Sequence, residues 1–263
     1  MSIITNVIGQ QKLKNYFSRL TFLEIPHSLL FIGEEGCGKK FFVENLSNAH
    51  YGITFKNITT QLDGEFILNT YTETKPLIYL IELDKVDIKK QNVILKFIEE
   101  PPVYAKVILT TSHLNQVIPT LINRCQCFTF EPYSLEELSM FSKDDGLLDY
   151  CSTPGQILSY KGINIKDIAD YCLKIVEKIS SSNKGNLFAI SDKIAFKDEK
   201  EKYDLDLFVK VLMQKFRDAC VYDVSKSKSY RLIADYDALR KQNASFNQRA
   251  LFETLLLDLS EVS

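Results

Sequence analysis

The residues whose types and spacing could do chemistry lie between His27 and Lys40. An apolar run through Leu29, Leu30, Phe31 and Ile32 gives way to a turn punctuated by Gly33, Gly36 and Gly38, and the amphipathic stretch Phe41 to Ala49 follows. This order reads as strand, phosphate-cradling loop and helix. The glycines let the backbone curl so that successive amides point at a phosphate, and the positive end of the helix adds to the attraction. Lys39 stands where an ammonium reaches the outer phosphates. The next position needs a serine or threonine hydroxyl to hold magnesium, and Lys40 stands there instead. A lysine cannot ligate a cation, so the loop reads as a nucleotide-binding core that has lost part of its hydrolytic equipment.

Elsewhere the chemistry is sparse. The six cysteines, Cys37, Cys125, Cys127, Cys151, Cys172 and Cys220, are scattered through a chain too large to need stapling. Cys125 and Cys127 form a Cys-x-Cys pair, but no second pair lies near enough to complete a four-ligand site. They read as two residues of one strand pointing the same way, and no zinc or other metal is predicted. His27, His50 and His113 lie far apart and none has a partner at metal spacing.

At 263 residues, with 45% hydrophobic and 25% charged, the chain has ordinary globular composition and enough length for a core plus one or two smaller units. A net charge of −2 gives no global footprint for nucleic acid, so any DNA contact must come from a local patch or a larger assembly. No apolar run approaches a membrane span, and the first residues lack a basic region followed by an apolar one. The expectation is a cytoplasmic protein with reduced cysteines.

The elements that position the loop can be read in order. Residues 6–25 read as a helix capped by Asn6, with Leu13, Phe17 and Leu20 at helical spacing. After the loop and its helix come a short strand at Ile53 to Phe55 and a weak helix from Asp63 to Tyr71. The five-residue apolar run Leu77 to Ile81 suits a strand buried on both faces of a parallel sheet. Asp87 reads as the cap of a helix from Ile88 to Glu99 that buries Val93, Ile94, Phe97 and Ile98 and ends at Pro101. Lys106 to Thr111 is another buried strand, followed by a helix over 117–122 and a strand near Cys127 to Phe130. Strands alternating with helices at this spacing predict a parallel sheet wound on both faces. From the capping box at Ser134 and Glu137 onward the chain reads helical, with a linker at Ser180 to Gly185 and apolar stripes over 203–222 and 246–259. The fold class is α/β followed by all-α. The boundaries are an α/β domain over 1–133, a small helical domain over 134–182 and a C-terminal helical domain over 183–263.

The phosphate loop, the second apolar strand, the run from Gln91-Asn92 through Leu95-Lys96 to Glu99-Glu100-Pro101-Pro102, the strand Val107 to Thr111 and the triplet Asn123-Arg124-Cys125 follow one another in this order. Together they resemble the clamp-loader branch of AAA+ ATPases, and within it the delta-prime type of subunit of bacterial DNA polymerase III. The likeness is specific over the first half of the chain and architectural over the rest. It implies a AAA+ parallel-sheet domain, a helical lid and a C-terminal collar. It gives Arg124 the sharpest role, that of an arginine reaching across a subunit boundary to the phosphates of ATP held by a neighbour. The chain has six arginines, and one falls at this place.

The resemblance also shows what is missing. Counting from Gln91, the magnesium-holding aspartate falls at Ile81 and the catalytic glutamate at Glu82. Asp84 lies about 10 Å further along an extended chain, too far to substitute without rearrangement. Thr110 or Thr111 occupies the place of a polar sensor on the third strand. Gln156, in Thr153-Pro154-Gly155-Gln156, replaces an arginine of the lid, and residues 50–75 lack the family's four-cysteine zinc module. The degenerate loop residues Gly33, Gly36, Gly38, Lys39 and Lys40, with Glu82 and Thr110, are the nucleotide-site candidates, and a loop ending Gly-Lys-Lys is a variant associated with some delta-prime subunits. The implied function is a non-hydrolysing loader subunit that requires no cofactor. The implied partners are the gamma or tau and delta subunits, the sliding clamp and primer-template DNA contacted without sequence specificity. An active ATPase motor subunit and a nucleotide-sensing module that binds ATP, ADP or phosphate through Lys39 are the alternatives. Lys85, Lys89 and Lys90 form a basic cluster that reads equally as a DNA-facing patch or a solvated helix end.

Overall fold

A computed structural model of the chain describes residues 6–49, 53–62, 70–72, 74–102, 104–179, 188–196, 202–242 and 246–262. The chain divides into two compact units, Met1–Lys143 with Cys151–Ser159, and Asp144–Tyr150 with Tyr160–Ser263.

The first unit is built on a five-stranded parallel sheet of order β2-β3-β4-β1-β5, with β1 at Ser28–Ile32, β2 at Thr54–Asn57, β3 at Leu77–Glu82, β4 at Ala105–Thr111 and β5 at Gln126–Thr129. The apolar runs predicted as buried strands are the three central ones. Their side chains alternate between two cores, as the two-residue period of a strand requires. Leu30, Tyr79, Ile81, Val107 and Leu109 pack with Ile94, Phe97 and Ile98 of α3 (Ile88–Glu99). Leu29, Phe31, Ile78, Leu80 and Ile108 pack with Leu13 and Phe17 of α1 (Gln11–Phe17) and with Phe42, Val43 and Leu46 of α2 (Lys39–Ala49). The register aligns Phe31 and Glu82 with Thr110, which brings the carboxyl ends of β1, β3 and β4 together. Asp87 caps α3 by accepting the Lys90 amide at 2.8 Å, as the sequence predicts.

The first helix is shorter than the predicted 6–25. Gly9 and Gln10 both have positive φ, 67° and 54°, which prevents helix before Gln11. Gln10 exchanges two bonds with the Glu131 backbone, at 2.8 and 2.9 Å, and so ties the start of α1 to the chain beyond β5. The predicted helix over 117–122 shrinks to α4 (Pro119–Ile122), because Val117 and Ile118 are extended and Pro119 occupies the first helical position. A capping box at Ser134 and Glu137 opens α5 (Leu135–Ser139). The segment 63–69 and the Ser180 to Gly185 linker lie outside the described residues.

The second unit is mainly helical: α6 (Asp145–Leu148), α8 (Ile165–Ile179), α9 (Phe188–Ser191), α10 (Leu205–Tyr222), α11 (Ser227–Gln242) and α12 (Gln248–Val262), while α7 (Pro154–Ser159) belongs to the first unit. Against the all-helical expectation, Ile194–Ala195 and Tyr203–Asp204 pair as β6 and β7, a short parallel ladder. Helix α11 carries no stripe the sequence signals, because its buried face mixes Ile233 and Tyr236 with Ser229 and Arg240. Arg240 is accommodated there by ion pairs to Asp206 and Asp237. Among the described residues no helix is long and apolar enough to cross a membrane.

Phe42 is fully buried and makes edge-to-face contacts with Phe17, Phe31 and Phe130, at centroid distances of 5.8, 5.7 and 5.7 Å. Phe42→Ala is expected to destabilise the first unit by about 3–5 kcal/mol, read as a lower urea midpoint with an unchanged slope.

Candidate functional site

The phosphate loop spans the end of β1 and the start of α2. The Gly33 amide donates to the Thr111 carbonyl at 3.1 Å, which fixes the loop's start to β4. Gly36 and Gly38 adopt φ of 77° and 88°, which glycine alone adopts without strain. The Tyr133 hydroxyl donates to the Cys37 carbonyl at 2.9 Å. Lys39 is buried, and its ammonium donates to the carbonyls of Gly33 and Glu34 at 2.7 and 3.0 Å and to Ser112 Oγ at 3.0 Å. These bonds can take up all three ammonium protons, so a phosphate binding here must displace them. Lys40 turns outward toward Glu44, 4.0 Å away.

Residues 152–156 lie against the same loop. Ser152 Oγ donates to Glu34 Oε1 at 2.7 Å, Thr153 Oγ1 to the Glu35 carbonyl at 3.0 Å, and the Gly155 amide to the Gly36 carbonyl at 2.9 Å. A Cβ on Gly155 would meet Gly36 Cα at 2.5 Å, so the approach requires glycine. Gln156 accepts the Ser152 amide at 2.9 Å and is thereby turned onto its own segment.

The acids divide unexpectedly. Ile81 is fully buried in the core, where it offers no ligand. Glu82, at the end of β3, accepts Asn57 Nδ2 at 2.8 Å and pairs with Lys85 at 2.7 Å. Partial burial pushes its carboxyl up, but the bonds from Lys85 and Asn57 and the charge of Lys40 outweigh this and hold it below the usual glutamate value. Asp84, placed beyond reach by its sequence distance, comes back into the site because Leu83–Lys85 form a 3-10 turn immediately after β3. Its carboxylate accepts Thr111 Oγ1 and the Ser112 amide, both at 2.9 Å. Partial burial raises its pKa, while the Ser112 and Thr111 bonds and the Lys39 charge lower it further, so the net shift is downward. Of the two strand threonines, Thr111 therefore meets the site. Thr110 is buried on β4, on the opposite side of the strand by alternation.

Arg124 lies just beyond α4, at a different place on the first unit. Helix α3 holds the chain leading to it: Gln91 Nε2 donates to the Gln116 carbonyl and Gln91 Oε1 accepts the Ile118 amide, each at 3.0 Å. Arg124 Nε pairs with Glu99 Oε1 at 2.6 Å and Nη1 donates to the Thr120 carbonyl at 3.1 Å. Its neighbour Cys125 is largely enclosed, and burial pushes its thiol up to about 12, with Cys127 adding to the shift. Among the described residues no group of three or more histidine, cysteine or acidic side chains could hold a metal ion. Neither Lys40, turned toward Glu44, nor the buried Ile81 offers an oxygen ligand to a cation.

A family profile described as "DNA polymerase III, delta subunit" matches residues 47–134. The chain is 28% identical to a replication factor C small subunit of Methanococcus vannielii over 155 residues, covering 51% of this chain and 48% of that one. It is 30% identical to DNA polymerase III subunit gamma of Buchnera aphidicola over 167 residues, covering 51% and 45%. It is 21% identical to DNA polymerase III subunit delta' of Bacillus subtilis over 247 residues, covering 80% and 74%. The matches support the clamp-loader AAA+ family. The chain spans about half the length of the first of these relatives. The fold is also that of a DNA polymerase III gamma subunit-related protein of Thermotoga maritima, with a TM-score of 0.51 and 15% identity over 95% of this chain and 98% of that one.

Set against the clamp-loader motifs, the structure brings Gly33, Gly36, Gly38 and Lys39 together with Asp84, Thr111 and Ser112, and leaves Arg124 apart from them. Sequence reasoning missed Ser112, Asn57 and the partnership of Glu99 with Arg124. Asp84 was legible in one respect: a strand predicted to end at Ile81 and a helix predicted to be capped at Asp87 leave only a short connection to carry it.

Two outcomes follow. Gly155→Ala is expected to separate residues 152–156 from the loop and raise amide exchange there by about tenfold or more, measured by hydrogen–deuterium exchange. Asp84, with its folded pKa below the ordinary 3.8, contributes stability that is complete above that value and lost as pH falls through the lower folded one. Urea midpoints measured between about pH 2 and 7 are expected to fall less steeply on the acid side in Asp84→Asn than in the wild type.

Proposed function

We propose that this chain is a delta-prime-type subunit of a bacterial DNA polymerase III clamp loader, which does not itself hydrolyse ATP. It supplies Arg124 in trans to the ATP site of a neighbouring subunit while the sliding clamp is loaded onto primed DNA. The observation that carries the reading is the contrast between two places on the first unit. At the phosphate loop, Lys39 is internally bonded and the magnesium positions are Lys40 and Ile81. Beyond α4, Arg124 is 42% exposed and held at two points. A guanidinium is always charged and presents a planar fork, which suits it to stabilise charge developing on transferring phosphoryl oxygens. The chain needs no cofactor of its own for this role, and residual phosphate or nucleotide binding at Lys39 would be structural.

The partners in this reading are the gamma or tau subunits, the delta subunit, the clamp and primer-template DNA, all in the cytoplasm. Lys89 and Lys90, both exposed on the first turn of α3, supply DNA backbone contacts without sequence specificity. Lys85 is committed to Glu82.

A second reading, an ATPase motor subunit, is favoured by two observations. The gamma and replication factor C relatives are more similar over about half of the chain than delta' is over its longer match. Asp84 also brings an ionised carboxylate to the site, held down in pKa partly by the Lys39 charge.

Steady-state ATP hydrolysis by a reconstituted loader with clamp and primed DNA separates the two. Arg124→Ala is expected to cut turnover by about a hundredfold or more, and Lys39→Ala by less than about twofold. A larger loss from Lys39→Ala, or hydrolysis by the isolated chain, would establish the motor reading instead.

A further inference from the structure

Arg124 does not hang free. Glu99 closes the helix α3 one residue before its C-cap, and its Oε1 lies 2.6 Å from Arg124 Nε. The Thr120 carbonyl takes Nη1 at 3.1 Å. The two carboxylate and guanidinium side chains are 45% and 42% exposed, a setting in which an ion pair adds little to folding stability. Stability therefore does not explain the pair. What it does accomplish is geometric. An arginine side chain has many rotamers, and binding at Nε and Nη1 together selects one of them before any phosphate is met.

We propose that Glu99 is a positioning residue for Arg124: its carboxylate holds the guanidinium in the orientation in which it meets the neighbour's phosphoryl oxygens. This rests on the in-trans reading of Arg124 given above. The adjacent Glu100 has a different connection, its backbone carbonyl accepting the Tyr71 hydroxyl at 2.6 Å, and serves as the control.

The test has two arms. In the isolated chain, solvent exchange of the Arg124 Nε–H is followed by NMR, the resonance being assigned by its loss in Arg124→Lys. Exchange is expected to accelerate by about fivefold or more in Glu99→Gln and to stay unchanged in Glu100→Gln, with the urea midpoint of both variants unaltered. In the reconstituted loader, Glu99→Gln is expected to lower kcat for ATP by about tenfold with KM unchanged, and to have no further effect in an Arg124→Ala background.

If Arg124→Ala lowers turnover but Glu99→Gln does not, the positioning role is overturned while the in-trans reading stands. The same holds if the two losses are simply additive, or if Nε–H exchange does not respond to Glu99→Gln. If Arg124→Ala leaves turnover unchanged, the in-trans reading fails, and the positioning role with it.

Discussion

The constraint on which the first unit depends is that β1, β3 and β4 carry apolar side chains on both faces, so that both faces must be covered. Parallel strands bring their carboxyl ends to one edge, and the chain leaves each strand there to reach a covering helix. That edge is where the phosphate loop follows β1, where the turn carrying Asp84 follows β3, and where Thr111 ends β4 and Ser112 follows it. The aromatic packing of Phe17, Phe31, Phe42 and Phe130 behind the loop fixes where α2 begins, and so where Lys39 emerges.

Within that edge, electrostatics is closed on itself. Lys39 is bonded to two loop carbonyls and to Ser112, whose amide in turn donates to Asp84. Glu82 is taken up by Asn57 and Lys85. The ionisable groups of this edge are therefore each engaged by a neighbouring backbone or side-chain group. The loop carbonyls are further engaged by the segment that opens α7. The phosphate loop thus bonds to β4, to Ser112 and to residues 152–156.

Helix α3 connects this edge to the arginine. Its N-terminal half holds the approach to α4 through Gln91, and its last residue holds Arg124 through Glu99. Between these two residues, Ile94, Phe97 and Ile98 face the core. The run from Gln91 to Pro102 thus has a physical content that a motif match alone does not supply: a rigid bar, packed on the sheet, with a polar grip near each end.

Much of this was determined by the amino-acid sequence itself. Hydrophobic period and length marked the three central strands. The cap at Asp87 and the capping box at Ser134 set two helix starts, and the glycine spacing marked the phosphate loop, because these depend on neighbours a few residues away. What depended on distant partners was decided by tertiary structure. The predicted N-terminal helix starts late, at Gln11, because Gln10 takes a left-handed conformation and bridges to Glu131, 121 residues on. Asp84 joins Thr111 and Ser112 only because a 3-10 turn after β3 meets the end of β4. Helix α11 escaped notice because its buried face includes Arg240, tolerable only beside Asp206 and Asp237. The pairing of Glu99 with Arg124 likewise exists only because α3 and the turn after α4 cover the same face of the sheet. Local patterns encode backbone propensity and burial, whereas a polar side chain's partner is set by which elements the packed sheet brings side by side.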